Sequence, residues 1–566
     1  MRKPLAMALT LLPLAAVAAE TSPIRPEALL AYTQVLSSDA FAGRAPGTAG
    51  ETATVNYLTE QFRALGLAPG NPDGSYVQQV PLAGISTHST LNLGGCGKDL
   101  QLREPVDYVA GSTQLREQLS TAGSQLVFVG YGIEAPEYGW DDYKGVDVRG
   151  KVLLMLIGDP PLPDPKRPGQ LDPKQFKGRA MTYYGRWTYK YEIAAAKGAA
   201  GAIILHETEP AGYGWFVVMN GWNRERYVVR SEDGNAGELA VRSWLRLDHA
   251  QTLLKACGQD FETLKQRALR RDFQPVPLAG EADFRLQQQL RQVQSQNVVA
   301  RLEGSDPQRK SETLVYSAHW DHLGAQGGQV YAGAADNALG VAGLLELARA
   351  YKAAADAGHA PKRSLLFLAP TAEESGLLGA RYYVQHPLYP LASTVADINM
   401  DIVSRFGLTR DIGVVGFGQS DMDERLRKVA KPLGRTVVEE DAPQNGMYYR
   451  ADHFEFARVG IPVLYTNAGV ELIGRPKGTG RKLAEAYIAN DYHKPTDQVK
   501  PDWDLRGAAA DLGLLYQVGR RLVDGGEVPR FAADSEFKAK QDALLQQSAT
   551  AGKQQQHGAA AGKQDK

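Results

Sequence analysis

Cysteine is nearly absent, with only Cys96 and Cys257 in 566 residues. Two such residues exclude a disulfide framework, and neither stands beside a second metal ligand or a histidine in sequence. In an exported chain they can pair or stay apart, and both readings stay open. An excess of charge is also missing. The 63 Lys and Arg against 64 Asp and Glu leave a net charge of −1 and a pI near 6.8. No basic face is dictated, which argues against nucleic acid and acidic membrane surfaces as partners. Beyond the first twenty residues no run of about 18 apolar residues occurs, so no membrane insertion is expected.

What is present describes a folded globular chain: 43% hydrophobic and 22% charged residues, over a length that calls for several units. The start "MRKPLAMALTLLPLAAVAAE" joins Arg2 and Lys3 to an apolar stretch and then to small residues. That build is a secretory signal over residues 1–19, against the plainer reading of a buried N-terminal helix, and it predicts a periplasmic or extracellular protein.

Within the segment 20–105, residues 26–70 read as helices, with Val55, Leu58, Phe62 and Leu65 at helical spacing, followed by short strands at "GSYVQQVPL" and "STLNL". From 106 to 290 the texture is short strands between Gly and Pro, with an aromatic, irregular stretch around Trp215 and Trp222. Residues 291–530 alternate strand and helix, as in "TLVYSAH", "RSLLFLAP", "VADINMDI" and "IPVLYTN". This alternation predicts a three-layer α/β/α sandwich on a mixed, largely parallel sheet. The segment 531–566 is rich in Ala, Gln and Lys and reads as a disordered tail.

Side chains that hold metals on such sheets sit where strands end. Here His319 ends one strand with Asp321 and His322 behind it, and Asp336 precedes a long helix. Glu373 and Glu374 follow another strand, Asp401 another, and His493 stands in a Pro-containing loop. Singly, each has a plain explanation: Asp336 as a helix cap, the two glutamates as a solvated turn, His493 as a surface histidine. Together, five metal-ligand types at the strand ends of one sheet point to zinc or its divalent neighbours. Asp336, Glu374 and Asp401 bring three negative charges, which two dications and a bridging hydroxide neutralise. Neighbouring residues leaving a strand point apart, so Glu374 is assigned as ligand and Glu373 as general base. Asp321 fits a carboxylate that orients the His319 ring.

The segments "SAHWDHLG", "GAADNALG", "TAEESGLLG", "NMD" and "DYHKPTDQV", in this order, resemble metallopeptidase family twenty-eight, the co-catalytic di-zinc exopeptidases. "LSSDAFAGRAPGTAGE" and "ADHFEFARVGIPVLY" extend the similarity over most of residues 26–525. The resemblance implies two Zn2+ per chain, with His319 and Asp401 on one ion, Glu374 and His493 on the other, and Asp336 bridging. It implies that Tyr492 stabilises an oxyanion, that the Asp336–Asn337 peptide is cis, and that His322 stays outside the ligand set. "LVFVGYGIEAPEYGWDDYKGVDVRGKVLLMLIGDPP" resembles a β-rich protease-associated (PA) domain inserted into such peptidases, expected to cover the mouth of the site.

The implied activity is a secreted aminopeptidase acting on peptides. A carboxypeptidase for acidic C-terminal residues is the alternative. Relatives of that kind carry a large helical domain after the peptidase, where this sequence has one helix and the tail. A one-zinc acyl-transfer cyclase and a non-enzymatic receptor-like binder fit less well, because all five ligand positions and Glu373 are of the right type. The stretch 444–454, "QNGMYYRADHF", is expected to line the substrate pocket, with Arg450 either facing a carboxylate or a carbonyl or standing as a plain surface arginine.

Overall fold

The computed structural model describes residues 22–97 and 99–547, so the secretory signal read over residues 1–19 lies outside the described residues. At the centre, the strands Ser364–Ala369, Thr313–Ser317, Thr394–Asn399 and Val463–Asn467 run parallel in that order. Antiparallel partners flank them: Val298–Leu302 pairs with Leu365–Ala369 on one side, and Asp411–Val414 with the end of the Val463 strand on the other. The sheet is therefore mixed and mostly parallel in its middle, as expected from the alternating pattern.

These strands are apolar along their whole length because both faces are covered. Successive side chains point to opposite faces. Leu314, Tyr316, Leu365, Phe367, Ala396 and Ile398 therefore join one core, with the helices Pro26–Leu36, Leu339–Asp356 and Arg506–Asp524. Val315, Leu366 and Leu368 join the opposite core, with Tyr383, Phe454 and Phe456. The α/β/α layering follows from this alternation.

A second body of structure lies mainly between residues 91 and 286 and has its own core, which includes Leu126, Leu154, Ile203, Leu245 and Phe284. Its strands Ser124–Phe128, Val152–Leu156, Gly201–His206 and Val241–Arg246 are parallel, with Tyr108–Gly111 antiparallel at the edge. The helices Trp187–Ala196 and Leu247–Ala256 accompany this sheet, so the insert is α/β in character, not solely β-rich. The aromatic stretch expected to be irregular forms a helix, Trp215–Trp222, and a strand, Arg226–Val229.

The expected boundaries at 105/106 and 290/291 do not mark breaks. The two short strands expected between residues 74 and 92 are one, Val77–Gly94, and it pairs along its length with Val276–Leu302. Each runs from the main sheet into the insert, and Leu91, Leu93 and Leu100 belong to the insert's core. A continuous strand carries no breaker at the point where its neighbours change, so composition cannot mark the junction. Cys96 and Cys257 are joined in a disulfide that ties the turn after the first long strand to the end of the helix Leu247–Ala256.

The disordered tail read from residue 531 is corrected over its described part. Phe531 and Phe537 are buried against Tyr448 and Phe454, and residues 538–547 are helical. Two aromatic anchors in an otherwise polar stretch were enough to hold it. Among the described residues no helix is long and apolar enough to cross a membrane.

An acid is buried inside the sheet. Asp397, on the strand Thr394–Asn399, accepts a hydrogen bond from Ser317 Oγ at 2.9 Å. Burial pushes its carboxyl from 3.8 up to about 8. Between those values the folded protein keeps a proton that the unfolded chain has released, so stability falls as pH rises through the window. Asp397→Asn should therefore gain stability relative to wild type between about pH 5 and about pH 8, read by urea unfolding at both. An unchanged difference would count against the assignment.

Candidate metal centre and active site

The predicted residues converge at the carboxyl ends of the parallel strands, as the strand-end argument requires. His319, Asp321 and His322 follow Thr313–Ser317, and Glu373 and Glu374 follow Ser364–Ala369. Asp401 follows Thr394–Asn399, and Asp336 lies before the helix Leu339–Asp356. His493 enters from the loop after the helix Thr479–Asn490.

The plain readings fail on geometry. Asp336 caps no helix: the residue before Leu339 is Ala338, and Asp336 itself has extended dihedrals. The side chains of Glu373 and Glu374 are only 10% and 7% exposed, which is no solvated turn.

The donors fall into two halves. In one, His319 Nε2 lies 3.5 Å from Asp401 Oδ1 and 3.9 Å from Glu373 Oε2. In the other, His493 Nε2 lies 3.0 Å from Glu374 Oε2 and 3.2 Å from Asp336 Oδ2. Asp336 also faces the first half, with Oδ1 3.4 Å from His319 Nε2. It thus stands between the two halves. The neighbouring glutamates point to opposite halves, as the sequence argument required. His322 lies closer than expected: its Nδ1 is 2.7 Å from Glu374 Oε1, and it groups with Asp336 and Glu374.

His319 Nε2 and Asp401 Oδ1 are buried, and neither has a hydrogen-bond partner among the described residues. An imidazole nitrogen and a carboxylate oxygen left bare and facing each other match a bound cation, so this donor set fits a divalent metal of the zinc type. Like charge is dense here. Burial holds the Glu373 carboxyl well above its ordinary range; His319 opposes the shift, and Asp401, Glu374 and Asp452 reinforce it. For Glu374 burial works the other way, but His493 and His322 overcome it and hold the carboxyl at about 2. The Tyr492 phenol is kept protonated by burial and by the carboxylates of Asp336, Glu374, Glu373 and Asp401. Its ring stacks on His493 with centroids 3.9 Å apart.

Three further residues hold the loops, and two of them had no expected role. Asp321, expected to orient His319, has its carboxylate 3.7 Å from Nδ1, while its own carbonyl is nearer at 3.2 Å. The carboxylate instead accepts the Glu373 N–H at 3.0 Å and the Glu374 N–H at 3.4 Å. Asp497 does the same across the site, accepting the Ala335 and Asp336 N–H groups at 3.1 Å each. Arg44 is fully buried and donates to the carbonyls of Leu36, Trp320, Ala332 and Gly333. The signals for both were present, in "PTD" after His493 and in "AGRAPG", but their partners are backbone groups that no sequence pattern shows. The Asp336–Asn337 peptide is cis, as the resemblance implied. Ala372, Ile402 and His493, each beside or within the donor set, have left-handed backbone at φ 53°, 53° and 56°. Such positions cost roughly 1–3 kcal/mol each and cluster where a site needs them.

Residues 297–516 match the sequence profile of Peptidase family M28. This stretch is a peptidase family M28 domain. It contains every donor named above. The chain is also 23% identical over 457 residues, 72% of its length, to a probable glutamate carboxypeptidase AMP1 of Arabidopsis thaliana. It spans 59% of that relative. It is 38% identical over 92 residues, 16% of its length, to a vacuolar membrane protease of Aspergillus clavatus, of which it spans 8%. Among solved structures, an aminopeptidase from Aneurinibacillus sp. strain AM-1 overlays with a TM-score of 0.47 at 18% identity, covering 90% of this chain and 96% of that one. BSAP, a zinc aminopeptidase from Bacillus subtilis, overlays with a TM-score of 0.42 at 18% identity, covering 91% and 98%.

Arg44 lies outside the M28 match yet supports two of the domain's site loops. Its charge also faces Asp497, Asp321, Asp336 and Glu374. Arg44→Met leaves buried carbonyls unpartnered and should cost about 3 kcal/mol or more. The loss should appear in urea unfolding together with reduced metal content. A stability change below about 1 kcal/mol would show that the loops hold themselves.

Proposed function

We propose that this M28 peptidase is an exported, zinc-dependent aminopeptidase that releases N-terminal residues from peptides. The observation that carries the reading is the opposed placement of Glu373 and Glu374, one in each half of the donor set. His319 and Asp401 would hold one zinc ion, Glu374 and His493 a second, and Asp336 would bridge them, with His322 fixing the Glu374 carboxylate. When bound, such ions polarise a carbonyl and acidify water.

Glu373 is the group left to take a proton. Its carboxylate removes it from the attacking water as the new C–O bond forms and delivers it to the leaving amine as the C–N bond breaks. Asp321 fixes the base by holding the Glu373 N–H. Tyr492, kept protonated, donates a hydrogen bond to the developing oxyanion.

The insert, read as a PA-type domain, would roof the cleft and admit chain ends only. It touches the 443–449 loop through the Met181 N–H on the Pro443 carbonyl and the Tyr449 hydroxyl on the Met181 carbonyl, both at 3.1 Å. Carboxypeptidase activity is the second reading, favoured by the name of the Arabidopsis relative. Export rests on the pattern of residues 1–19, and the Cys96–Cys257 disulfide suits an oxidising compartment.

Purified protein should hold about two zinc ions and release the chromophore from alanine 4-nitroanilide. Glu373→Gln should lower kcat by about 10²–10⁴-fold with its metal content unchanged. Full activity in that variant would remove Glu373 as the base. Cleavage confined to N-blocked dipeptides would select the carboxypeptidase reading. N-terminal sequencing of exported protein should begin near residue 20; an intact Met1 would refute processing.

A further inference from the structure

Three successive N–H groups of the insert go to three different parts of the chain. Met181 N–H donates to the Pro443 carbonyl of the M28 domain at 3.1 Å. Thr182 N–H and its hydroxyl donate to the two oxygens of Asp159, within the insert, at 2.7 Å each. Tyr183 N–H donates to Glu536 Oε1 at 3.2 Å. Glu536 lies on the C-terminal segment beyond the M28 match, which ends at residue 516.

That segment is fastened to the M28 domain. Arg530 N–H donates to Asp421 Oδ1 at 2.9 Å. Ala532 N–H donates to the Gln419 carbonyl, and Ser535 Oγ to Gln419 Oε1, both at 2.8 Å. The Phe537 ring packs against Tyr448 and Phe454. From this base Glu536 reaches the insert, and its Oε1 is also 2.7 Å from the Tyr449 hydroxyl. A single carboxyl thus joins the 181–183 loop of the insert to the 443–449 turn, which belongs to the stretch expected to line the substrate pocket.

The Tyr449 hydroxyl has one proton and two partners in reach. The Met181 carbonyl, 3.1 Å away, can only accept. Both contacts are hydrogen bonds when Tyr449 donates to Met181 and Glu536 donates to Tyr449, which requires a proton on Glu536. Its other oxygen, Oε2, is buried with no hydrogen-bond partner among the described residues. A bare oxygen there is far more costly on a carboxylate than on a neutral carboxyl. Burial holds this carboxyl above its ordinary range; Lys177, the Tyr449 hydroxyl and the Tyr183 N–H oppose the shift, and Glu137 adds to it. The other groups that face it are acidic or phenolic. They are Asp159, Tyr138 and Tyr184 from the insert, and Tyr448 with Tyr449 from the M28 domain.

We propose that Glu536 is a positioning residue: protonated, it latches the 181–183 loop of the insert to the 443–449 turn, and the closed junction holds the far end of a peptide substrate in the cleft. The proposal rests on the peptidase reading above and adds a proton-dependent control of substrate binding. The latch is closed where an ordinary glutamate has already ionised, and it is released as pH rises through the raised value of Glu536. Once ionised, Glu536 draws the Tyr449 proton away from Met181 and sets a charge beside Asp159 and Glu137.

Glu536→Gln provides the comparison, because an amide keeps a donor and an acceptor and does not titrate. Hydrogen exchange at the amides of residues 182 and 183, corrected for the intrinsic rate, reads the latch in the zinc-loaded full chain. Between about pH 5.5 and about pH 8.5, wild-type protection should fall about tenfold more than that of Glu536→Gln. Asp159 titrates in both proteins, so its effect cancels. Over the same range KM for tetra-alanine should rise about three- to tenfold relative to the Gln variant, with kcat moving by less than about twofold. The substrate amine titrates identically for both. Glu536→Ala should show the high-pH behaviour throughout; should it not fold, wild type against Glu536→Gln decides alone. Parallel exchange and parallel KM in those two proteins would overturn the latch and leave the peptidase standing. A change in exchange without a change in KM would overturn its part in substrate binding. No hydrolysis of tetra-alanine or of alanine 4-nitroanilide would overturn the peptidase reading, while exchange at residues 182 and 183 would still decide the latch.

Discussion

Everything near the site answers one constraint: carboxylates that repel each other are packed at the ends of neighbouring strands, almost out of reach of water. Asp336, Glu373, Glu374 and Asp401 converge within a few ångströms of two histidines. Buried charge of one sign separates unless something holds it. The backbone does so through paired N–H groups. Asp321 grips the two peptide groups under Glu373 and Glu374, and Asp497 grips the two under Asp336. Each grip adds another carboxylate, so the restraint worsens the charge it controls. Arg44 is the compensation, a buried cation that ties the loops by their carbonyls and offsets the acids by its field.

The same constraint explains the tolerated backbone strain. Ala372, Ile402 and His493 hold left-handed conformations that favour glycine. Glycine there would relieve the cost but free the loop to move. A site whose donors must not separate gains from residues that have few other conformations available. The parallel sheet makes this possible, because its strands are buried on both faces and their ends are rigid platforms.

The site was legible to the extent that its residues carry chemistry themselves. Histidines and acids at strand ends announce a cation from type and position alone, and the opposed directions of Glu373 and Glu374 follow from strand geometry. Residues that act through backbone groups were not legible. Asp497 and Arg44 had no expected role, because their backbone partners come close only in the fold. His322 is a middle case: a histidine of the right type, whose 2.7 Å contact with Glu374 depends on how a loop closes. The fold divides in the same way. Alternation gave the sandwich, whereas the junction with the insert lies inside two uninterrupted strands, and the ordered stretch after residue 531 depends on Phe531 and Phe537 finding pockets far away in sequence.

The donor set and the insert are thus built from different parts of the chain. The donor set, the base and their clamps lie on the M28 sheet, apart from Arg44, and are rigid because each loop is bonded to another. The insert meets the M28 domain at the turn that starts at Gly446, which passes against the Arg186 side chain. The two long strands cross from one body to the other without a hinge, which fixes their relative position more firmly than a flexible linker would. The feature that hid the junction from the sequence is therefore also what holds the insert in place on the M28 domain.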